Sequence, residues 1–133
     1  FGVTGTPLQP IIHTGAAIGR DIPIWDIYDN FGDTDLLVRN MDHGRDLAKA
    51  MGQANVVLMR GHGCAVVGPD IKAATLTAVY LQVSASVQLQ SMALGDVRYL
   101  TPGETEQCTE MFYSDLAIDR AWENLATRVT KKP

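Results

Sequence analysis

Three histidines are the residues of this sequence best suited to metal or proton chemistry, and His62 has the most informative setting. It lies between two glycines in the stretch Arg60-Gly61-His62-Gly63, which predicts a turn between two strands. Small neighbours let an imidazole approach an ion without steric competition, and a hairpin fixes its direction. A turn histidine that only hydrogen-bonds to the backbone would give the same pattern. His62 is therefore a candidate ligand, and one ligand does not make a metal site.

His13 is the second candidate, because it follows an apolar run and precedes small residues that allow tight packing or the approach of a ligand. A half-buried histidine bonded to the backbone is the simpler interpretation of that pattern. His43 stands on a polar segment and is predicted to lie on the surface. The spacing of five aspartates fits no EF-hand loop, and they are predicted to mark turns and strand ends: Asp21, Asp26, Asp29, Asp33 and Asp35.

Composition and charge narrow the possible classes of protein. Of 133 residues, 46% are hydrophobic and 20% are charged, which is the balance of a soluble globular domain. The net charge of -4, with no basic cluster before Lys131-Lys132, argues against a nucleic-acid partner. Cys64 and Cys108 form no close pair and are predicted to be small core residues, which favours a reducing cytoplasm. No apolar stretch is long enough to span a membrane, and no signal peptide is visible.

Apolar periodicity places the candidate residues on a series of short elements. In the first third, extended pieces are predicted at 8–12, 22–27 and 36–38, separated by Gly and Pro. A short helix follows, with Asp42 as its predicted cap and Gly52 as its end. The strongest strand signal runs from Asn55 to Met59. A second apolar run, from Cys64 to Val67, completes a predicted hairpin bent around His62.

Two long helical stretches complete the pattern. Asp70 opens the first, which ends at Gly95, and its apolar stripe is predicted to face the core: Ala74, Ala78, Leu81, Ala85, Leu89 and Met92. The second begins at a capping box, Thr101-Pro102-Gly103-Glu104, and Ser114-Asp115 interrupts it. Since no repeat or linker is visible, we predict one structural unit over residues 1–133. Its expected architecture is an α/β sandwich with a mostly antiparallel sheet.

The segment from Val57 to Gly68, which contains the His62 turn, and the helix containing Ala78-Val79-Tyr80-Leu81 resemble the C-terminal half of the class II aldolase/adducin family. The resemblance extends from about Gly5 to Leu125. It implies an α/β/α sandwich with a mostly antiparallel central sheet, incomplete here at the N-terminus. Residues 1–133 would then form the C-terminal part of a single domain. Because the chain starts at Phe1 without an initiator Met, we interpret it as a fragment.

The resemblance also implies a metal site. In the family, the histidine of this turn is one of three that bind a catalytic divalent ion of the Zn²⁺ or Mn²⁺ class, and that role passes to His62. The other two histidines form a His-x-His pair that would lie upstream of Phe1, and an acid/base glutamate would lie further upstream. Family members typically form tetramers with sites at subunit boundaries, which implies a homotetramer here.

Four further segments look like the branch of the family that decarboxylates aromatic acids and hydroxy-dicarboxylates: residues 13–17, 22–27, 32–35 and 99–104. The aldolases tend to carry a proton-transferring tyrosine about where His13 stands, so the resemblance implies that His13 takes over that role. Arg120 resembles part of a C-terminal segment of the same branch. It would hold a substrate carboxylate bidentately, with a surface salt bridge as the alternative interpretation.

Taken together, the resemblance implies a divalent-metal-dependent lyase of aromatic catabolism that cleaves a carbon–carbon bond. The electron pair of that bond enters an enolate, which a bound metal ion stabilises. Decarboxylation of a hydroxylated aromatic or dienoic dicarboxylate is the favoured reaction. A sugar-phosphate-type aldolase or epimerase is the alternative among enzymes, and an adducin-like scaffold is the non-catalytic alternative. An unrelated binding domain without cofactor fits the composition but leaves the family-like segments unexplained.

Overall fold

The computed structural model describes residues 1–130 of the chain, which form three short strands, one 3-10 helix and five α-helices. In chain order these are the 3-10 helix His13–Ile18, β1 Ile24–Trp25, α1 Tyr28–Phe31, α2 Met41–Met51, β2 Val56–Met59, β3 Gly63–Val66, α3 Ile71–Met92, α4 Pro102–Phe112 and α5 Asp115–Thr130. The fold class is therefore α/β, as predicted.

The three described strands form one mixed sheet in the order β1-β2-β3. β2 and β3 are antiparallel, with Met59 opposite Gly63, which confirms the predicted hairpin. β1 is parallel to β2, with Trp25 opposite Met59. The sheet seen here thus has one parallel and one antiparallel pairing, and the larger, mostly antiparallel sandwich remains a prediction.

Two of the three extended pieces predicted in the first third are not strands. At residues 8–12 Pro10 cannot donate to a strand ladder, and the amide of Gln9 instead donates to the side chain of Gln88, at 2.9 Å. At residues 36–38 the backbone of Leu36 is left-handed, with φ of 64°, which is incompatible with a strand. Only the middle piece pairs, and it does so over two residues.

β2 is the central strand, and all four of its residues are buried. Val56 and Leu58 face a cluster that includes Leu81 of α3. Val57 and Met59 face the opposite side, where Trp25 and residues of α2 cover them. Burial on both faces explains why β2 is a continuous apolar run rather than an alternating one.

α3 begins as predicted but buries a partly different face. Asp70 caps it by accepting a hydrogen bond from the amide of Ala73 at 2.8 Å. The predicted stripe is right only in part: Leu81 is buried and Ala85 packs against the same cluster, whereas Leu89 is 65% exposed and Met92 is 41% exposed. The buried residues are Ala73, Leu76, Thr77, Leu81, Ser84 and Gln88. Three of these are polar, and contacts with distant parts of the chain, rather than hydrophobicity alone, determine the buried face.

The last two helices confirm the predicted boundaries. Thr101 and Glu104 form the capping box at the start of α4, and the helical segment is interrupted between Phe112 and Asp115. The hydroxyl of Tyr113, at this interruption, lies 3.1 Å from Nδ2 of Asn55, 3.0 Å from Oγ1 of Thr77 and 3.3 Å from the carbonyl of Ala17. The junction thereby joins the start of β2, α3 and the 3-10 helix.

Two expectations about surface and core can be checked on the same residues. None of the described helices combines the length and the apolar character that crossing a membrane requires. Cys64 is exposed and Cys108 is only partly buried, so the expectation that both are core residues was wrong. Cys64 lies on β3, which has a neighbouring strand on one side only among the described strands.

Candidate metal and substrate site

The His62 turn is a three-residue loop between Met59 and Gly63, the last pair of the β2–β3 ladder. The amide of His62 donates to the carbonyl of Met59 at 3.1 Å, which closes the loop. The imidazole is exposed, and it makes no hydrogen bond to any residue in the described part of the chain. The turn therefore fixes the backbone of His62 and leaves both ring nitrogens available.

The turn packs against Leu36, which lies in the loop before α2. Gly61 has φ of 67°, and a Cβ built on it would lie 3.1 Å from Cδ1 of Leu36. Leu36 itself packs against the cluster that contains Trp25 and Met59. Its left-handed backbone is supported by a hydrogen bond from its amide to Oγ1 of Thr34, at 3.1 Å. Glycine is favoured at position 61 because of the left-handed backbone angle, and a Cβ there would also require the end of Leu36 to move by a few tenths of an ångström.

Arg60 stands at the start of the turn and forms an ion pair with Asp26, which follows β1. Its amide also donates to the carbonyl of Trp25 at 2.9 Å, so the carboxyl ends of the two parallel strands meet here. The hydrogen bond from Arg60 holds the pKa of Asp26 below its usual value, against a smaller opposing effect of burial. Asp26 in turn raises the pKa of Arg60, and Asp29 contributes more weakly.

The end of β1 is fixed from the other side by Asp46 of α2. Its carboxylate accepts a hydrogen bond from Nε1 of Trp25 at 2.8 Å and from Nδ2 of Asn30 at 3.0 Å. The bond from Trp25 is the main cause of the lowered pKa of Asp46. Trp25 is almost fully buried, so its packing in the core also fixes the backbone of the neighbouring Asp26.

His13 is the first residue of the 3-10 helix and its side chain is exposed. The helix behind it is tightly packed, since a Cβ built on Gly15 would lie 3.0 Å from the buried hydroxyl of Ser84. The preceding segment is held by Gln88, whose Nε2 donates to the carbonyl of Pro7 at 2.7 Å. His13 therefore presents an exposed imidazole on a tightly packed helix.

Arg120 lies on α5, at the surface, where it lines an open groove of about 550 Å³ between α3 and α5. The groove is mostly apolar, with Arg128 and Asn124 among its polar residues. Neither His62 nor His13 lines it. The structure therefore brings Arg60 and Asp26 to the His62 turn, and it gives no contact in this single chain that joins His62, His13 and Arg120.

Sequence reasoning missed Arg60, Asp26 and Gln88 as residues that shape this region. Asp26 appeared only as one of several turn aspartates, and its partner lies 34 positions away. The available signal for Arg60 was its position directly before Gly61-His62-Gly63. For Gln88 the signal was a glutamine inside a largely apolar helix, although Gln82 and Gln90 on the same helix are exposed.

The His62 turn fits the requirements of a metal-ligand position, because a neutral imidazole with an unengaged ring nitrogen is a common metal donor. Within residues 1–130, no group of three or more His, Cys, Asp or Glu side chains lies close enough together to hold an ion. A metal bound at His62 would therefore need ligands from beyond these residues.

The chain can also be compared with known proteins. Residues 2–89, more than half of the chain, match the family described as Class II Aldolase and Adducin N-terminal domain. The chain is 34% identical to decarboxylase tropJ of Talaromyces stipitatus, in a match covering 71% of this chain and 40% of that protein. It is 35% identical to 3,4-dihydroxyphthalate decarboxylase of Terrabacter sp., with 52% and 29% covered.

The chain thus spans less than half the length of these two relatives. The family match includes the complete hairpin and its His62 turn, which were the most specific part of the resemblance. The family predicted from the sequence is confirmed: the chain belongs to the class II aldolase and adducin family, with decarboxylases among its relatives.

Proposed function

We propose that this chain is part of a divalent-metal-dependent decarboxylase that acts on a hydroxylated aromatic or dienoic dicarboxylate. The observation that carries the proposal is the His62 turn, a rigid hairpin loop that presents an unengaged imidazole in a chain whose relatives include decarboxylases. One of these relatives is named for 3,4-dihydroxyphthalate, an aromatic compound with two carboxylates and two hydroxyls. We extend that substrate class to this chain.

His62 would supply one ligand of a Zn²⁺ or Mn²⁺ class ion, with two further histidines and an acid/base glutamate from upstream of Phe1. Phe1 lines a cavity of about 280 Å³ together with Gly63 and Cys64, so a chain continuing upstream would enter beside the His62 turn. That placement supports the proposal. When bound, the ion would act as a Lewis acid for the hydroxyl or keto oxygen beside the scissile carboxylate.

His13 would move the proton and Arg120 would bind a substrate carboxylate. Protonation of the ring of an ortho-hydroxy aromatic acid creates the keto form from which carbon dioxide can leave, so an exposed imidazole is suited to this step. Arg120 lies in a groove that contains neither histidine. We therefore place the complete site at a boundary between subunits of a homotetramer, where residues from different copies can meet.

We also propose how the described residues fit into a larger domain. Residues 1–133 would be the C-terminal part of a single α/β/α domain, in which the small mixed sheet seen here extends into a mostly antiparallel one. β3 has an open edge among the described strands, which supports this extension, since an exposed edge is a natural place for a further strand.

The test uses the full-length protein and measures bound metal together with carbon dioxide release from 3,4-dihydroxyphthalate. His62→Ala should remove most activity and metal affinity together. His13→Ala should retain the metal and slow the reaction by about 10²–10⁴-fold, the usual contribution of a general acid. His43→Ala is the matched control, because the imidazole of His43 is already engaged by a tilted contact with Phe31 and by a contact of 3.3 Å with the carbonyl of Leu37. It should leave both the metal content and the rate unchanged.

Two outcomes would favour the alternatives. Efficient cleavage of sugar phosphates without decarboxylation would assign the protein to the aldolases or epimerases. A full-length protein that binds no metal and is inactive on both substrate classes would favour the adducin-like scaffold. An active protein that stays monomeric in sedimentation experiments would exclude the proposed site between subunits.

A further inference from the structure

We propose that Arg60 binds the substrate carboxylate that is retained in the reaction, beside the His62 turn. The inference rests on the proposed function and adds a binding residue to it. Arg120 would then be a second contact and not the main partner of this carboxylate. Three properties of Arg60 support this role: its place in the turn, the orientation of its guanidinium and its permanent charge.

The place of Arg60 is fixed by the sheet. Its amide is hydrogen-bonded to the carbonyl of Trp25, so its Cα is held at the carboxyl end of the parallel β1–β2 pair. His62 is two residues further along, and two residues of chain span at most about 7 Å. An arginine side chain is nearly as long as that separation. A small aromatic acid at the imidazole of His62 would therefore lie within about one arginine length of the Cα of Arg60.

The guanidinium is oriented so that its outer edge is free. Nε donates to the carboxylate of Asp26, which also accepts a hydrogen bond from the amide of Tyr28 at 3.0 Å. Neither terminal nitrogen of Arg60 makes a hydrogen bond to another described residue, and 41% of the side chain is exposed. These two nitrogens form the planar fork that binds a carboxylate bidentately.

Other arginines with carboxylate partners show why this arrangement is specific. Arg39 uses both Nε and a terminal nitrogen on Asp35, and its side chain is 63% exposed. Arg45 uses a terminal nitrogen on Asp42, one turn away on the same exposed helix. Arg60 is instead held through its inner nitrogen by a residue of the sheet edge. Its fork is therefore aligned in advance, which lowers the entropy lost when a ligand binds.

The chemistry favours the retained carboxylate over the one that leaves. In the reaction the bond between the ring carbon and the carboxyl carbon breaks, its electron pair passes through the ring to the neighbouring keto oxygen, and the phenolate so formed takes up a proton. The carboxyl carbon departs as neutral carbon dioxide. An arginine bound to the leaving carboxylate would stabilise the substrate more than the transition state and would slow the reaction. An arginine bound to the second carboxylate pairs with a group that stays charged from substrate to product, so it holds the ligand throughout the reaction.

The experiment compares Arg60→Gln and Arg60→Lys with the wild type in the full-length, metal-loaded protein. Two probes are titrated calorimetrically: phthalate, which has two carboxylates, and catechol, which has the hydroxyls alone. Arg60→Gln should weaken phthalate binding by about 10- to 150-fold, as expected when charged hydrogen bonds are lost. Catechol affinity should not change. Arg39→Gln is the control, and it should bind both probes like the wild type.

Each result decides the role of Arg60. Equal phthalate affinity in Arg60→Gln and wild type would overturn the proposal, and so would an equal loss for both probes, which would mean that Arg60 only supports the turn. If Arg60→Gln does not fold, Arg60→Lys keeps the ion pair with Asp26 and loses the planar fork. A lysine variant with wild-type phthalate affinity would then overturn the proposal, and a selective loss would support it.

The proposed function fails in a different way from this inference. A wild-type protein that binds no metal and releases no carbon dioxide contradicts the decarboxylase assignment, and the Arg60 role falls with it. A wild-type protein that does both, with an Arg60→Gln variant that binds phthalate normally, contradicts the Arg60 role alone.

Discussion

Gln88 offers the sharpest test of how the segment before His13 is held. It is fully buried in α3, and its Oε1 accepts from the amide of Gln9 at 2.9 Å while its Nε2 donates to the carbonyl of Pro7 at 2.7 Å. Replacement by Met keeps the length and unbranched shape of the side chain and removes these two bonds, together with a longer one of 3.4 Å from Nε2 to the hydroxyl of Tyr99. We expect Gln88→Met to destabilise the protein and to loosen residues 7–9.

The magnitude follows from what each backbone group loses. A buried donor or acceptor left without a partner costs about 1–3 kcal/mol. Gln9 is partly buried, so its amide should contribute the full penalty, whereas Pro7 is exposed and its carbonyl can bind water instead. We therefore expect a loss of about 1–3 kcal/mol in the free energy of unfolding, the penalty of one unsatisfied group.

Urea denaturation of the full-length protein, followed by circular dichroism, measures this difference. Gln90→Met is the matched control, because Gln90 lies on the same helix and is exposed, and its change should stay within about 0.5 kcal/mol. Hydrogen exchange adds a local readout, since the amide of Gln9 should lose protection in Gln88→Met alone. Equal stability of the two variants, with Gln9 still protected, would refute the reasoning.

Two other predictions concern the turn. Gly61→Ala places a Cβ against Leu36 at a residue whose φ is 67°. We expect the free energy of unfolding in urea titrations to fall by about 1–2 kcal/mol, and metal binding to weaken. Unchanged values would mean that the turn has a different conformation in solution. Asp26→Asn removes the ion pair with Arg60. The lowered pKa of Asp26 means that the pair stabilises the protein above the unfolded value of 3.8 and loses that contribution as the pH falls through the folded value. The stability advantage of the wild type over Asp26→Asn should therefore be constant near neutral pH and shrink below pH 3.8, and an advantage that persists in strong acid would contradict this cause.

Local signals in the sequence were sufficient for the hairpin and for the starts of α3 and α4. The predicted cap of α2 was wrong, since Asn40 caps that helix and Asp42 lies in its first turn. Gly61 and Gly63 interrupt an apolar run, and the Thr101–Glu104 box and Asp70 cap the helices that follow them, so each prediction used residues close together in the chain. The position of His62 in a tight turn could be predicted for the same reason. Its role as a metal ligand came only from the family resemblance.

The rest depends on partners that lie far apart in the sequence. The buried face of α3 could not be predicted in full, because the side chain of Gln88 forms its hydrogen bonds with backbone groups 79 and 81 positions away. A prediction from periodicity assigns polar residues to the surface. The short parallel strand β1 has two residues, too few for a pattern. The pairing of Arg60 with Asp26 follows from that parallel register, so it was equally invisible in the sequence.

The Tyr113 junction also has a consequence for the order in which the protein is made. Its hydroxyl meets residues 36, 58 and 96 positions earlier, all of which leave the ribosome before Tyr113 does. Until then, Thr77 and Asn55 lack this partner, and the 3-10 helix lacks its contacts with α4, which include the hydrogen bond from Thr109 to the carbonyl of Ala16. Contacts of such long sequence separation form slowly. The hairpin with His62 can therefore assemble during synthesis, whereas the packing around His13 is completed only after α4 has emerged.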